Sequence, residues 1–252
     1  MIDFHSHIIP EIDDGSRSIE ETMLLLEEAK KAGFKKIIST SHYVQDQFEF
    51  DEPSREMFFN LIKNGASNLG IDIEIYLGSE IFASYDIVEL IREHKASTIN
   101  GSKYVLFELP MQNEMPNLKN IVYNLLGNGY IPIIAHPERY EYVKENPNWL
   151  IEYIELGVMF QANYGSLIGI YGKQAQITVK KLLKNNMIHF LGSDVHRART
   201  IYAKMPEILE ELEKTIDADT IEELTTINPS LVLENQPIHT KMPNKIKKSF
   251  WE

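Results

Sequence analysis

No cysteine occurs in the sequence. Disulfides, thiolate metal ligands and a thiolate nucleophile are therefore all unavailable. Long apolar runs are missing too, since no stretch approaches the roughly 18 apolar residues of a transmembrane helix. Positive charge is in short supply, with Lys+Arg 25 against Asp+Glu 37 and a formal net charge of -12. That balance excludes loose binding to nucleic acid, which needs a basic surface. The opening residues MIDFHSHIIP have neither the basic start nor the apolar stretch of a secretory signal. A chain that begins this way is expected to stay in the cytoplasm, without membrane insertion. Internal repeats, low-complexity tracts and Pro/Gly/Ser-rich linkers are also lacking, so nothing divides the chain.

What is present is a recurring pattern. A single domain is expected over 1–252, with a tail at about 240–252. Short apolar strands are predicted at 2–4, 37–39, 74–77, 104–107, 131–134, 158–161 and 189–191. Helical stretches lie between them, including 87–94, 117–128, 149–156 and 174–185, and another follows at 206–215. That alternation implies βα units and a parallel sheet. In the first unit Ser18 reads as a helix N-cap and Glu21 completes a capping box. Ile19, Met23 and Leu26 mark its apolar stripe, and Gly33 suits its end. About seven such units predict an α/β fold, a TIM-like barrel near the usual eight-stranded scale.

The side chains that follow these strands share a chemistry. His5 and His7 follow the first strand, with Asp13 and Asp14 next. His42 follows the second, Glu80 the third, Glu108 the fourth and His136 the fifth, with Arg139 close behind. Asn163 follows the sixth, and Asp194 and His196 follow the seventh. In a parallel barrel all the strand C-termini open on one face. Residues scattered from His5 to His196 would therefore converge on one pocket. Imidazole nitrogen and carboxylate oxygen suit zinc, manganese and iron. His5 and His7 are two apart, so their side chains can point the same way, and Asp194 and His196 repeat that spacing. One ion takes about four to six ligands. This set suits two or three ions, with a carboxylate such as Glu80 able to bridge.

Each element alone has an ordinary reading. A His-Xaa-His pair arises by chance, Asp13-Asp14-Gly15 reads as a turn, and Glu80 or Glu108 alone is a surface charge. Their joint position after predicted strands is what links them. His94 within a helix, His189 at a strand start and His239 in the tail serve as controls and read as structural or solvated. Tyr140, Tyr142 and Tyr164 read as packing residues. The Glu/Lys-rich stretch 20–36 reads as a solvated helix face, and Lys241, Lys245, Lys247 and Lys248 as a solvated basic tail.

The segments IDFHSHIIPEIDDGS, STSHY, GSE, FELP, AHPERY and GSDVH resemble the polymerase and histidinol phosphatase (PHP) superfamily. Within it the likeness is to the bacterial manganese-dependent protein-tyrosine phosphatases of capsule and exopolysaccharide clusters. NPSLVLENQPI is similar to that family's C-terminal segment, so the likeness covers nearly the whole chain. It implies a distorted (β/α)7 barrel, the PHP fold, holding three metal ions. By that resemblance His5, His7, Glu80 and Asp194 hold one ion. Glu80 bridges to a second, held also by Glu108 and His136. Asp14, His42 and His196 hold the third. Arg139 matches an arginine that faces the phosphate. A second family arginine follows the Asp-Xaa-His motif, and in HRARTIY it is assigned to Arg199, with Arg197 as the alternative.

The chemistry implied is hydrolysis of phosphotyrosine on a protein, the partner being the tyrosine-rich tail of a bacterial kinase that controls polysaccharide export. Water bridging two metals loses a proton near neutral pH and can attack phosphorus. Arg139 and the metals neutralise the phosphoryl oxygens, and a phenolate of pKa ~10 leaves readily. Without cysteine, any tyrosine phosphatase activity of this chain has to be metal-dependent. Manganese is the implied metal, although such sites also take zinc, iron or cobalt. The alternative is a small-molecule phosphatase of the same superfamily, such as a histidinol phosphatase. An amidohydrolase ranks lower because no lysine follows a strand end where a bridging carboxylated lysine would be needed. A non-catalytic, metal-dependent docking module ranks lower because the ligand set and Arg139 are intact.

Overall fold

A computed structural model describes residues 1–50 and 52–247. Seven strands form one sheet in the order of the sequence, every neighbouring pair parallel. They are β1 (Ile2–Ser6), β2 (Lys36–Tyr43), β3 (Glu74–Phe82), β4 (Tyr104–Glu108), β5 (Ile131–Ala135), β6 (Met159–Asn163) and β7 (Phe190–Gly192). The connecting helices are α1 (Ile19–Lys31), α2 (Glu52–Asn68), α3 (Ile87–Arg92), α4 (Leu118–Gly127), α5 (Glu141–Glu145), α6 (Trp149–Glu155) and α7 (Lys173–Lys184). After β7 come α8 (Met205–Glu213), α9 (Ala218–Glu222) and α10 (Asn228–Leu233). The segment after β7 returns to β1. His7 N–H donates to the Val195 carbonyl at 3.0 Å, and Asp194 N–H donates to that of His5 at 2.8 Å. The sheet thereby curls into a nearly closed seven-stranded barrel.

Alternation along the strands explains both cores. In β4, Tyr104 and Leu106 join a buried interior cluster with Ile2, Phe4, Ile38, Ile133 and Phe190. Val105 and Phe107 instead pack outward among helix residues such as Leu25, Val122 and Leu182. The inner and outer faces of a barrel strand alternate in this way. Phe4 and Phe190 stack at 4.1 Å inside the barrel. Ile99 and Val232 of α10 belong to the same interior cluster. Continuing the inward series to the C-terminal end gives His42 after Ile38 and Thr40, Glu80 after Tyr76 and Gly78, and Glu108 after Leu106. The greasy interior thus ends in a ring of metal-type ligands.

β1 breaks the rule in a useful way. Asp3 pairs with Ile37 but Ser6 pairs with Ser39, so β1 carries one extra residue. Such a bulge shifts the facing of every later side chain. Ile2 and Phe4 face in before it, and His5 and His7 face in after it. Asp3 faces out, accepting from Tyr202 Oη at 2.6 Å and from Ser193 N at 2.7 Å. β5 ends with a different device. His136 has φ 34, a left-handed conformation that turns its ring from the outward course and back to Glu80.

α1 begins as expected. Ser18 Oγ accepts from Glu21 N at 3.3 Å, while the Glu21 carboxylate reaches Arg17 N at 2.9 Å. Several boundaries differ from the sequence reading. β2 and β3 run on to Tyr43 and Phe82, so His42 and Glu80 lie within strands and not after them. α3 stops at Arg92, so His94 is not helical. It has φ 57 just beyond the helix end, in the left-handed conformation that closes many helices. Lys241, Lys245 and Lys247 of the tail are exposed, as expected, but the tail's backbone is docked. Asn148 pairs with both backbone groups of Ile246, at 2.9 and 2.8 Å, and Asn244 N–H donates to the Asn185 carbonyl at 2.9 Å. Lys241 pairs with Glu223. Lys248 lies outside the described residues. No helix among the described residues is long and apolar enough to cross a membrane.

Candidate metal centre

The barrel mouth gathers all nine expected ligands. His5 Nε2 lies 3.0 Å from His7 Nε2 and 3.2 Å from Glu80 Oε2. Asp194 Oδ1 is 3.7 Å from His5 Nε2 and 3.4 Å from His7 Nε2. Donor atoms bound at about 2.1 Å to one ion sit roughly 3.0–3.4 Å apart in octahedral or tetrahedral geometry. The four atoms therefore outline a single cation position. Their other sides are already engaged. His7 Nδ1–H donates to Asp13 Oδ2 at 2.8 Å and His5 Nδ1–H to Gln161 Oε1 at 2.8 Å. Asp194 Oδ2 accepts from Asn163 Nδ2 at 2.6 Å and Arg139 at 2.8 Å. Both imidazoles are thus turned to present Nε2 lone pairs inward, the usual arrangement around bound metal.

Two further groups adjoin this one. His136 Nε2 is 2.8 Å from Glu80 Oε1 and 3.8 Å from Glu108 Oε2. His42 Nδ1 is 3.1 Å from Glu80 Oε2 and 3.4 Å from Glu108 Oε1. That nitrogen is buried and has no hydrogen-bond partner among the described residues, which fits a metal ligand. On the other side, Asp14 Oδ1 is 3.6 Å from His42 Nε2 and 3.3 Å from His196 Nε2. The His7 and His196 rings stack at 4.1 Å. Three sets have donor atoms mutually within 4.8 Å: His7, Asp14, His42 and His196; His5, His7 and Glu80; and His42, Glu80 and Glu108. His7, His42 and Glu80 recur between sets, so the candidate positions are contiguous.

The electrostatics express the same crowding. Burial works against a charged His5 ring, but the Glu80 and Asp194 carboxylates raise its pKa. For His7, Asp13 and its neighbours outweigh burial and lift the ring well above its ordinary value. Burial disfavours ionised Glu80 and Asp194, yet the surrounding imidazoles, with Arg139 for Asp194, hold both well below the carboxylate range. Glu108 is pushed up to about 8 by burial and by Glu80 and Asp194. His136 is lowered to about 4 by burial and by Arg139. Protons and carboxylates here balance one another in a buried space, and divalent cations are the natural replacement for those protons. The donor set therefore fits hard or borderline divalent ions.

Arg139 lies at this mouth. Its side chain is 28% exposed and NH1 donates to Asp194. The two later arginines differ. Arg197 places its guanidinium on the carbonyls of Asp14, Gly15 and His196. Arg199 is exposed, with φ 64 and its backbone N–H on the Glu28 carboxylate at 2.8 Å. The controls stay apart from the ligand groups. His189 is buried and accepts from Phe160 N–H through Nδ1 at 3.0 Å, and His94 and His239 are exposed. Tyr142 and Tyr164 are buried in the core. Tyr140 packs there too, but its hydroxyl also donates to the Ala135 carbonyl at 2.8 Å and accepts from Leu109 N at 3.0 Å, tying β5 to the end of β4.

Sequence reasoning places Asp13 and Asn163 near the strand ends but misses their supporting role, and it misses Gln161 altogether. Asp13 reads from the sequence as part of a turn, and it is one, since Oδ1 accepts from Gly15 N at 2.9 Å. Its Oδ2 also holds His7 Nδ1 and His42 N. Gln161 and Asn163 are inward positions of β6, the strand that ends without a ligand. An amide at that strand end was the available signal. Gly15 and Gly192 were silent. A Cβ at Gly192 would lie 2.5 Å from His5 Cβ, and one at Gly15 would lie 2.6 Å from His7 Cβ.

Several known proteins are similar to this chain in sequence and fold. A family model described as capsular polysaccharide synthesis, CpsB/CapC, matches residues 1–234. The tyrosine-protein phosphatase YwqE of Bacillus subtilis is 32% identical, over 98% of this chain and 97% of its own. The tyrosine-protein phosphatase CpsB of Streptococcus pneumoniae is 30% identical, over 94% of this chain and 100% of its own. A crystal structure from work on YwqE and CpsB, described there as unique metal-dependent tyrosine phosphatases, superposes with a TM-score of 0.91 at 31% identity, covering 98% of this chain and 100% of that one. A zinc-bound histidinol phosphate phosphatase from Lactococcus lactis shares the fold, with a TM-score of 0.56 at 14% identity, covering 85% of this chain and 94% of that one.

Proposed function

The chain belongs to the CpsB/CapC family of capsular polysaccharide synthesis, and we propose that it is a metal-dependent protein-tyrosine phosphatase. The observation that carries this reading is the convergence of His5, His7, Asp14, His42, Glu80, Glu108, His136, Asp194 and His196 on one barrel mouth, with Arg139 beside them. His5, His7, Glu80 and Asp194 would hold one ion. Glu80, Glu108 and His136 would hold a second, and Asp14, His42 and His196 a third. His42 also faces Glu80 and Glu108 through Nδ1, which supports closely spaced ions. Manganese is the metal we assign. When bound, the divalent ions lower the pKa of water and act as Lewis acids toward phosphoryl oxygens.

The chain's own residues supply the rest. Asp13 and Gln161 orient His7 and His5, and Asn163 fixes Asp194. Arg139 uses one N–H on Asp194, and its other donors have no partner among the described residues, which suits an anion of several oxygens. On the segment after β7 we assign Arg199 as the second arginine for the substrate's phosphate, with Arg197, whose NH1 lies on the carbonyls of Asp14, Gly15 and His196, as the alternative. The partner is a phosphotyrosine protein, the tyrosine-rich tail of a bacterial kinase that regulates polysaccharide export. Such a tail is phosphorylated with ATP, so the encounter belongs to the cytoplasm.

Hydrolysis of a phosphotyrosine peptide and of histidinol phosphate, each with manganese and with a chelator, tests this function. Manganese-dependent release from the peptide alone is expected. Release mainly from histidinol phosphate would keep the site and overturn the protein substrate. Silence on both substrates with metal present would overturn the phosphatase reading.

A further inference from the structure

Tyr171 belongs to the loop between β6 and α7 and is not among the expected site residues. Its ring lies against the Arg139 guanidinium, with the Arg139 Cζ 4.7 Å from the ring centroid. At its edge, the same guanidinium donates through NH1 to Asp194 Oδ2 at 2.8 Å. One contact restrains the plane of the group and the other its rotation. A guanidinium carries five N–H donors in a rigid fork. With one engaged, the rest have no partner among the described residues, on a side chain that is 28% exposed.

The backbone is shaped to present this ring. Gly169 (φ 79) and Gly172 (φ 95) bracket Ile170 and Tyr171. Gly172 N–H closes the turn on the Gly169 carbonyl at 3.0 Å. Gly165 stands opposite, where an added Cβ would come 3.1 Å from Tyr171 Cε2. Its missing side chain leaves room for the ring. Burial, followed by the Asp194 charge, raises the phenol pKa, so the ring stays neutral and offers its π-face to the cation.

We propose that Tyr171 is a positioning residue for phosphate binding, its ring holding the Arg139 guanidinium so that the unpaired N–H groups meet the phosphoryl oxygens. This rests on Arg139 being the phosphate-facing arginine. A ring contact of this kind, partly shielded from water, is worth enough to change anion affinity by about 3- to 30-fold.

The test combines inhibition by inorganic phosphate with peptide turnover in the manganese-loaded protein, for Tyr171→Leu, Tyr171→Phe, Arg139→Ala and the double variant Tyr171→Leu/Arg139→Ala. Tyr171→Leu is expected to weaken phosphate inhibition by about 3- to 30-fold and to raise KM, with manganese affinity unchanged. Tyr171→Phe keeps the ring and is expected to keep phosphate affinity. On the Arg139→Ala background the Leu substitution adds no further loss, because the contact it removes is already gone. An equal loss on both backgrounds, or a loss in Tyr171→Phe as large as in Tyr171→Leu, would overturn the proposal. If Arg139→Ala weakens phosphate inhibition and Tyr171→Leu does not, the proposal alone falls. If Arg139→Ala leaves inhibition unchanged, the role of Arg139 falls and the proposal with it.

Discussion

The Nε2 atoms of His5 and His7 face each other at 3.0 Å, while each Nδ1 is held from behind by an acceptor, Gln161 for His5 and Asp13 for His7. Two lone pairs directed at one point are tolerable only with a cation or a shared proton between them. The acceptors behind the rings therefore decide how well the site binds metal. Asp13→Asn and Gln161→Leu are expected to lower manganese affinity by about 10- to 100-fold, the usual effect of removing an outer partner. Calorimetric titration measures this directly. Wild-type affinity in both variants would mean that the rings are oriented by packing alone.

Gly192 leaves no room for a side chain, because a Cβ there would sit 2.5 Å from His5 Cβ and 2.8 Å from His5 N. Gly192→Ala should displace β1 at its bulge. We expect a destabilisation of about 1–3 kcal/mol from overpacking, together with weaker manganese binding. Thermal unfolding with and without metal distinguishes the two effects. A variant that unfolds and binds metal like the wild type would show that β1 can yield at no cost.

His189 gives the protein a site of acid sensitivity away from the metal ligands. Burial lowers its pKa to about 4, below the ~6.5 of an unfolded histidine. A depressed folded pKa gives stability that is complete above pH ~6.5 and is lost as pH falls toward 4, because the unfolded chain takes up the proton first. At pH 5 this one group should cost about 2 kcal/mol relative to neutral pH. His189→Asn keeps an acceptor for Phe160 N–H but has no proton to gain. Its unfolding temperature should fall less than the wild type's between pH 7.5 and pH 5. Parallel slopes for the two proteins would contradict the assignment.

Much of the site was legible because the ligands obey barrel geometry. His42, Glu80 and Glu108 continue inward series that begin with apolar residues, so their convergence follows from alternation alone. β1 was harder. Ile2 and Phe4 share one parity while His5 and His7 share the other, and only an inserted residue lets all four face inward. Nothing in the local sequence marks that bulge, since it arises in the pairing of β1 with β2. The positive φ of His136 was hidden for the same reason, as it depends on the path from β5 to Arg139. Gln161, Tyr171 and the supporting part played by Asn163 were not legible because these residues act on ligands and on Arg139 that are distant in sequence, and each is an ordinary residue type. α2 and the docking of the tail onto Asn148 and Asn185 were also not anticipated. Both rest on tertiary contacts more than on local pattern.

Turnover of a phosphotyrosine peptide, followed while manganese is titrated into the wild type, His136→Ala and Asp194→Ala, is the measurement to make first. The wild type should show saturable, manganese-dependent hydrolysis that a chelator abolishes. Each variant should lose at least about a thousandfold in rate while its circular dichroism remains that of the folded barrel. Wild-type rates in both variants, or hydrolysis indifferent to the chelator, would show that chemistry does not take place at this centre.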